Sequence, residues 1–275
     1  MINITKLYQK PRIFQTLSGL EPVKFQELLE KIEPLYVKSE QKRKYKKNRE
    51  RCEGGGRKLC LSLEQSLFLL LLYYRTYVNH VFIGMLANMN DSNVCRYFKR
   101  IEPLLAQTFR IPERKIAITE KEVLNLIIDA TEQETQKRDG SGYSGKKKKN
   151  TIKTQIVINS NGKIKSVSKS IKGNIHDKKL YDKSRIITDS KIKIKGDLGY
   201  VGTKCLTPFK KPRNGKLTAI EKAYNKWFNK KRVMIEHVFA SLKKFRILDY
   251  KFRNNINRYN MIFKNIAGIR NFIIA

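Results

Sequence analysis

The sequence predicts an α/β protein, a mixed sheet flanked by helices, preceded by an all-α helix-turn-helix region. Three observations carry this. Residues 59–110 keep a helical period, β-branched apolar runs alternate with amphipathic stretches from 113 onward, and 40% of the 275 residues are hydrophobic, enough for real cores. The chain divides accordingly into an N-terminal helix with a basic, glycine-rich linker (1–58), a helix-turn-helix domain (59–112) and an α/β domain (113–275).

Taken in order, PVKFQELLEKIEPLY (22–36) sets Val23, Phe25, Leu28, Leu29 and Ile32 on one side of a short helix. QKRKYKKNRERCEGGGRK (41–58) reads as a linker, either lying along phosphates or merely solvated. LSLEQSLFLLLLYYR opens with Ser62 as a cap and is apolar nearly all round, as a buried helix is. A short helix to Leu86, a polar turn at 87–90 and a helix from about Asp91 then give helix-turn-helix spacing, a pattern that any compact three-helix bundle shares. On the DNA-binding reading, Ser92, Asn93 and Arg96 face base edges, and Lys99 and Arg100 meet phosphates.

In the third region VLNLIIDA (123–130) is a strand ending in Asp129, and TIKTQIVINSNGKIKSVSKS (151–170) is two strands around an Asn-Gly turn. HDKKLYDKSRII (176–187) is amphipathic, and KIKIKGD (191–197) is a short strand ending in Asp197. Thr218 and Glu221 form a capping box that opens a long helix to about Arg246.

Lysine and arginine total 59 against 24 acidic residues, a formal net charge of +35. Solubility does not need so much, and a polyanionic partner explains it, nucleic acid ahead of an anionic membrane. The longest apolar run, 67–74, is too short to span a bilayer, and the N-terminal stretch lacks a secretory apolar core. A soluble, intracellular protein with no membrane partner is expected. Cys52, Cys60, Cys95 and Cys205 contain no C-x-x-C pair and have three histidines to help them, which argues against structural zinc.

Against this basic background the acidic residues stand out. Between 140 and 275 there are seven, and Asp197 at a strand end and Glu236 within a helix occupy diagnostic places, with Asp129 closing the earlier strand. A strand-end carboxylate either caps the following turn or meets a ligand at the sheet edge. With Arg232 set to zero, Glu236 falls at about 40° and Lys243 at about 20°, while Ile235, Val238, Phe239, Leu242 and Phe245 spread over roughly 220° to 340°. Arg232, Glu236 and Lys243 therefore share a stripe beside the buried face, where Glu236 is either an ion-pair partner or a ligand. Three converging carboxylates repel one another, and a divalent cation neutralises them; magnesium, which keeps waters and takes phosphate oxygens, suits such a site.

These residues resemble the DDE transposases of bacterial insertion sequences, in the insertion sequence five group, with Harbinger-like nucleases more distant. The family's signature of Tyr, two residues, Arg, three residues, Glu, six residues, Lys is matched at Arg232, Glu236 and Lys243, with Asn229 in the tyrosine's place. IIDATE around Asp129, YSGKKKKNTIKTQ (143–155), GNIHD (173–177) and GDLGYVG around Asp197 match as well. The resemblance implies an RNase H-like domain whose triad is Asp129, Asp197 and Glu236, binding Mg2+ with Mn2+ able to substitute. It implies a helix-turn-helix at 59–110, and Arg232 and Lys243 positioning the strand. It also implies DNA phosphates at Lys146, Lys147, Lys148 and Lys149, where a solvated loop is the plainer alternative. His176 and Asp177 are either auxiliary groups or simply the start of a helix.

The expected protein is a complete transposase of the bacterial cytoplasm and nucleoid. It binds terminal inverted repeats, cleaves and joins strands, and works on double-stranded DNA as a homodimer. The rival is a catalytically inactive DNA-binding regulator descended from one. A basic RNA-binding protein is a weaker third reading, since no aromatic single-strand platform is evident.

Overall fold

The computed structural model describes residues 3–45, 59–116, 125–136, 142–188 and 192–275. Two compact units result. One comprises the chain up to Arg110 with Phe245–Ile247; the other comprises Ile111–Lys244 and Leu248–Ala275.

The first unit is helical: α1 (Ile4–Tyr8), α2 (Pro11–Ser18), α3 (Pro22–Lys44), α4 (Leu63–Thr76), α5 (His80–Ala87) and α6 (Asp91–Phe109). Proline at the first position starts α2 and α3, where a missing N–H costs nothing. The stretch expected as linker from 41 is still helix through Lys44, because Gln, Lys and Arg are good helix formers and no breaker interrupts them. The rest of that basic stretch, 46–58 with Cys52, lies outside the described residues. Ser62 caps α4 in a full capping box with Gln65, and Leu67–Leu72 are all buried, as the apolar run requires. Phe14, Phe25 and Phe68 meet with ring centroids 5.1 to 6.3 Å apart and anchor α2, α3 and α4.

The second unit holds β1 (Asn125–Glu134), β2 (Tyr143–Ser144), β3 (Lys149–Asn159), β4 (Ile164–Val167), β5 (Ile171–Lys172), α7 (Asp177–Ser184), β6 (Lys193–Lys195), α8 (Ala219–Lys243) and α9 (Tyr259–Ile273). The main sheet runs β2-β3-β1-β6, with β4 and β5 also pairing β3. It is mixed: β1 is antiparallel to β3 and parallel to β6. The Asn-Gly turn joins β3 to β4 with Gly162 at φ 76°, while the Asn159 side chain accepts N–H bonds from Asn161 and Lys163. Leu126, Ile128, Val157, Ile194 and Tyr200 form the core on one sheet face.

Two expectations are corrected here. Asp129 does not end its strand: β1 continues to Glu134 because the eleven-residue β3 pairs with it throughout, Asp129 opposite Ile156. The sequence reading also omitted α9, which buries Ile262, Phe263, Ile266 and Ala267 but has no side-chain cap to mark its start.

Candidate active site

Parallel pairing brings Asp129 and Asp197 together. The β1–β6 register ends at Ile127 opposite Lys195, and each aspartate stands two residues beyond its own member of that pair. Side chains alternate along a strand, so both point to the face that Ile127 and Lys195 occupy. Asp129 Oδ1 accepts the Ala130 N–H at 2.8 Å, and its Oδ2 accepts from Arg232 Nη2 of α8 at 3.3 Å. Burial pushes the Asp129 carboxyl up to about 6, and Asp197 and Asp177 add to the rise while the Ala130 N–H and Arg232 oppose it. The Arg232 Nε is buried with no hydrogen-bond partner among the described residues.

Asp177 joins them from the first turn of α7, with His176 exposed at the N-cap. Asp197 Oδ1 accepts the Gly199 N–H at 2.9 Å. A Cβ on Gly199 would lie 2.9 Å from Asp177 Oδ2 and 3.0 Å from Asp197 Oδ1, so this glycine gives two carboxylates room to approach one backbone point. Beneath them Tyr200 is fully buried, its hydroxyl donating to Gln155. Burial and then the three aspartates push its hydroxyl pKa well above the ordinary phenol range.

Lys153 holds this cluster from behind. Its Nζ lies 2.9 Å from Glu132 Oε1 and 3.1 Å from Asp177 Oδ1, and it donates to the Ile175 carbonyl. Burial works against its charge, but Glu132 and Asp177 outweigh that and raise its pKa. Glu132 is completed by the hydroxyls of Ser144 and Thr151. The sequence reading missed Glu132 and Lys153; the signal was a single lysine inside the apolar run TIKTQIVIN, a strand position where a charge needs a partner.

Glu236 behaves differently. Along α8 Ile235, Val238 and Leu242 are buried, Arg232 is half-buried, and Glu236 is exposed rather than at the buried boundary. Its direction explains this: it lies some 40° further than Arg232 from the buried stripe. Asp129, Asp177, Asp197 and Arg232 are thus brought together, whereas Glu236 makes no ion pair with them. No group of three His, Cys, Asp or Glu in metal-holding range occurs among the described residues. The donor set nonetheless suits a magnesium-like ion, which needs one or two carboxylates and fills its shell with water and phosphate. The raised pKa of Asp129, caused first by burial, marks a carboxylate whose charged form a bound cation would stabilise.

In the other unit α5 and α6 meet at a turn where Asn88 is left-handed and Asn79 and Asn90 cap the two helices. A Cβ on Gly84 would lie 2.4 Å from the Met89 carbonyl oxygen, so the turn needs glycine there. Ser92, Asn93, Arg96 and Lys99 are exposed, and Arg96 donates to Asn93 at 2.9 Å. Asn93, Arg96 and Arg100 line a cleft of about 420 Å3 with Asn88 and Met89. In the α/β unit Lys146, Lys147 and Lys148 form the exposed tip of the β2–β3 hairpin, while Lys149 pairs with Glu134 at 2.7 Å. Lys243 is exposed at the end of α8.

Residues 128–271 match the family described as DDE superfamily endonuclease, and residues 59–111 match the helix-turn-helix of DDE superfamily endonuclease. The chain belongs to the DDE superfamily of endonucleases. It is 31% identical over 275 residues, covering 96% of this chain and 95% of the relative, to a protein of Microchaete diplosiphon described as the probable transposase for insertion sequence element IS702. It is 27% identical over 197 residues, 70% of this chain and 73% of the relative, to one of Streptomyces albus G described as the putative transposase for insertion sequence element IS112. No solved structure matches. This DDE endonuclease is a transposase of the insertion-sequence kind, and its superfamily uses divalent metal ions. Among the described residues no helix is long and apolar enough to cross a membrane.

Proposed function

We propose that the enzyme binds the terminal inverted repeats of its own element, cuts a strand to free a 3′ hydroxyl and joins that end to target DNA. The observation that supports this most is that Asp129 and Asp197 each stand two residues beyond the last pair of the parallel β1–β6 register, with Arg232 of α8 reaching the first. Asp129, Asp197 and Glu236 are the residues that would hold Mg2+, or Mn2+ in its place. When bound, such an ion acidifies an attacking water and stabilises the leaving oxygen.

The chain's own groups do the rest. Arg232 neutralises Asp129 in the free protein and turns to a phosphate oxygen when the strand arrives. Asp177, set by Lys153, and His176 stand as auxiliary groups beside it. In each step a P–O bond forms as the bond to the leaving oxygen breaks, with water and then the 3′ hydroxyl as nucleophile and no covalent enzyme intermediate. Ser92, Asn93 and Arg96 read the repeat, while Lys99, Lys146 to Lys149 and Lys243 contact phosphates. Two element ends must be held at once, so the working form is a homodimer on DNA, within the bacterial nucleoid. Placement in the insertion sequence five group rests on the quoted motifs.

Nicking of a labelled terminal-repeat duplex, with magnesium, manganese or chelator, tests this reading. Asp129→Asn, Asp197→Asn and Glu236→Gln should each abolish nicking while melting and repeat binding persist. Pairs of these changes should add little, because the residues act as one unit. A Glu236→Gln protein that still nicks at the normal rate returns Glu236 to a surface ion-pair role. A normal chain that binds repeats and nicks with neither metal is the DNA-binding regulator instead.

A further inference from the structure

The flank of α8 opposite Arg232 carries a groove that the carboxylate chemistry does not use. Ile127, Lys195, Trp227, Lys230, Lys231 and Met234 line about 540 Å3 there. At about 100° per residue, Trp227, Lys230, Lys231 and Met234 lie roughly 160° to 260° round from Arg232, whereas Glu236 lies at about 40°. The helix therefore crosses the sheet face between groove and carboxylates. Ile127 and Lys195 open on the groove, and Asp129 and Asp197, two residues further along the chain from each and on the same sheet face, lie on the other side of α8.

Two features of the groove point to a ligand. Trp227 is 49% exposed, an indole face left to solvent beside exposed Val233 and Met234. Lys195 is 7% exposed, yet no carboxylate pairs with it among the described residues; its Nζ sits 4.8 Å from the Trp227 ring centroid, and Lys231 is its charged neighbour. The Lys195 stem is buried, and its ammonium, beside a second ammonium, has no carboxylate partner among the described residues. Cations spaced around one open aromatic face suit a chain that carries both phosphates and bases, and bases offer their faces when they are unpaired.

We propose that this groove binds an unpaired nucleotide of a DNA strand, its base stacked on Trp227 and its phosphate held by Lys195, with Lys230 and Lys231 on adjoining phosphates. The choice of DNA rests on the function proposed above; the stacking and phosphate contacts rest on the groove alone.

Trp227 is the chain's one tryptophan, so its emission reports on this groove and nowhere else. The full chain is titrated at fixed ionic strength with an end-labelled single-stranded oligonucleotide, the same strand with abasic positions, and a fully paired duplex. The single strand should quench Trp227 saturably, while the abasic strand and the duplex bind by anisotropy but quench little. Lys195→Met should abolish saturable quenching at the same strand concentrations, and Lys231→Ala, on the exposed helix surface, should raise its midpoint. Trp227→Leu should weaken single-strand binding relative to duplex by about five- to a hundredfold, the range for losing one stacked base. Equal quenching by abasic and normal strands overturns base stacking, and an unchanged midpoint in both lysine variants overturns the phosphate contact. Asp129→Asn should lose nicking and keep the quench, so failure of the strand-cleavage reading is told apart from failure of this one.

Discussion

Arg232 Nη2 lies 3.3 Å from Asp129 Oδ2, joining residues 103 positions apart in the chain. The contact moderates the charge state of the site: burial pushes the Asp129 carboxyl up to about 6, and the Ala130 N–H and then Arg232 hold it back. An acid whose folded value lies above its unfolded one binds more protons in the folded state between the two. Its contribution to stability is full below 3.8 and is lost as pH rises through about 6. In chelator, the stability of the normal chain relative to Asp129→Asn should therefore fall between about pH 4 and 7, by up to about 3 kcal/mol. Urea melts of both proteins across that range check the sign; a flat difference would mean that Asp129 titrates as it does unfolded.

Lys153 should be the most costly single residue to remove behind the site. Its side chain is 9% exposed and bridges Glu132 and Asp177, 12% and 28% exposed. Lys153→Met keeps the apolar stem and strands two carboxylates, at a cost of about 3–5 kcal/mol. Adding Glu132→Gln and Asp177→Asn should recover most of that loss in the same urea melts. No recovery would mean that Lys153 matters for packing rather than charge.

What was legible in the sequence follows from how locally each feature is determined. Ser62 and Thr218 announced their helices because a cap is written in four consecutive residues, and both capping boxes are present. Strand β1 was truncated at Asp129 because the polar residues after it look like a turn until the length of β3 is known. The convergence of Asp129 with Asp197 came from motif resemblance; the register that produces it is a property of the sheet. Asp177 could not be resolved from a helix start by sequence, since its partner Lys153 lies far off in the chain, on β3. The groove at Trp227 was invisible, because the indole sits in an ordinary helical pattern and gains meaning from Lys195 across the sheet face.

Gly84→Ala should reverse the usual sign of a helix substitution. Alanine in a helix interior normally stabilises by about 1 kcal/mol over glycine. Here the new Cβ would meet the Met89 carbonyl oxygen at 2.4 Å, and a backbone atom cannot swing away as a side chain can. A net loss of roughly 1–3 kcal/mol is expected as the turn before α6 opens. Binding of the terminal repeat should weaken more than binding of random duplex, because Asn93 and Arg96 follow that turn. A stabilised variant with unaltered discrimination would show that this turn does not set the reading face.

The hairpin lysines differ in what they are free to do, and salt dependence can show it. Lys146, Lys147 and Lys148 are exposed at the tip, while Lys149 pairs with Glu134, which Lys251 also approaches at 3.2 Å. Each phosphate neutralised releases about 0.9 counterions from duplex DNA, so replacing the three tip lysines by alanine should reduce the log-log salt slope by up to about 3. Lys149→Ala alone should change it by less than about 1, since that lysine is already paired and must leave Glu134 to reach a phosphate. Binding to a random duplex measured from low to moderate salt gives both slopes. If the triple variant keeps the normal slope, the hairpin tip lies off the DNA path; if Lys149→Ala changes the slope as much as any tip residue does, its pairing with Glu134 yields to DNA at little cost.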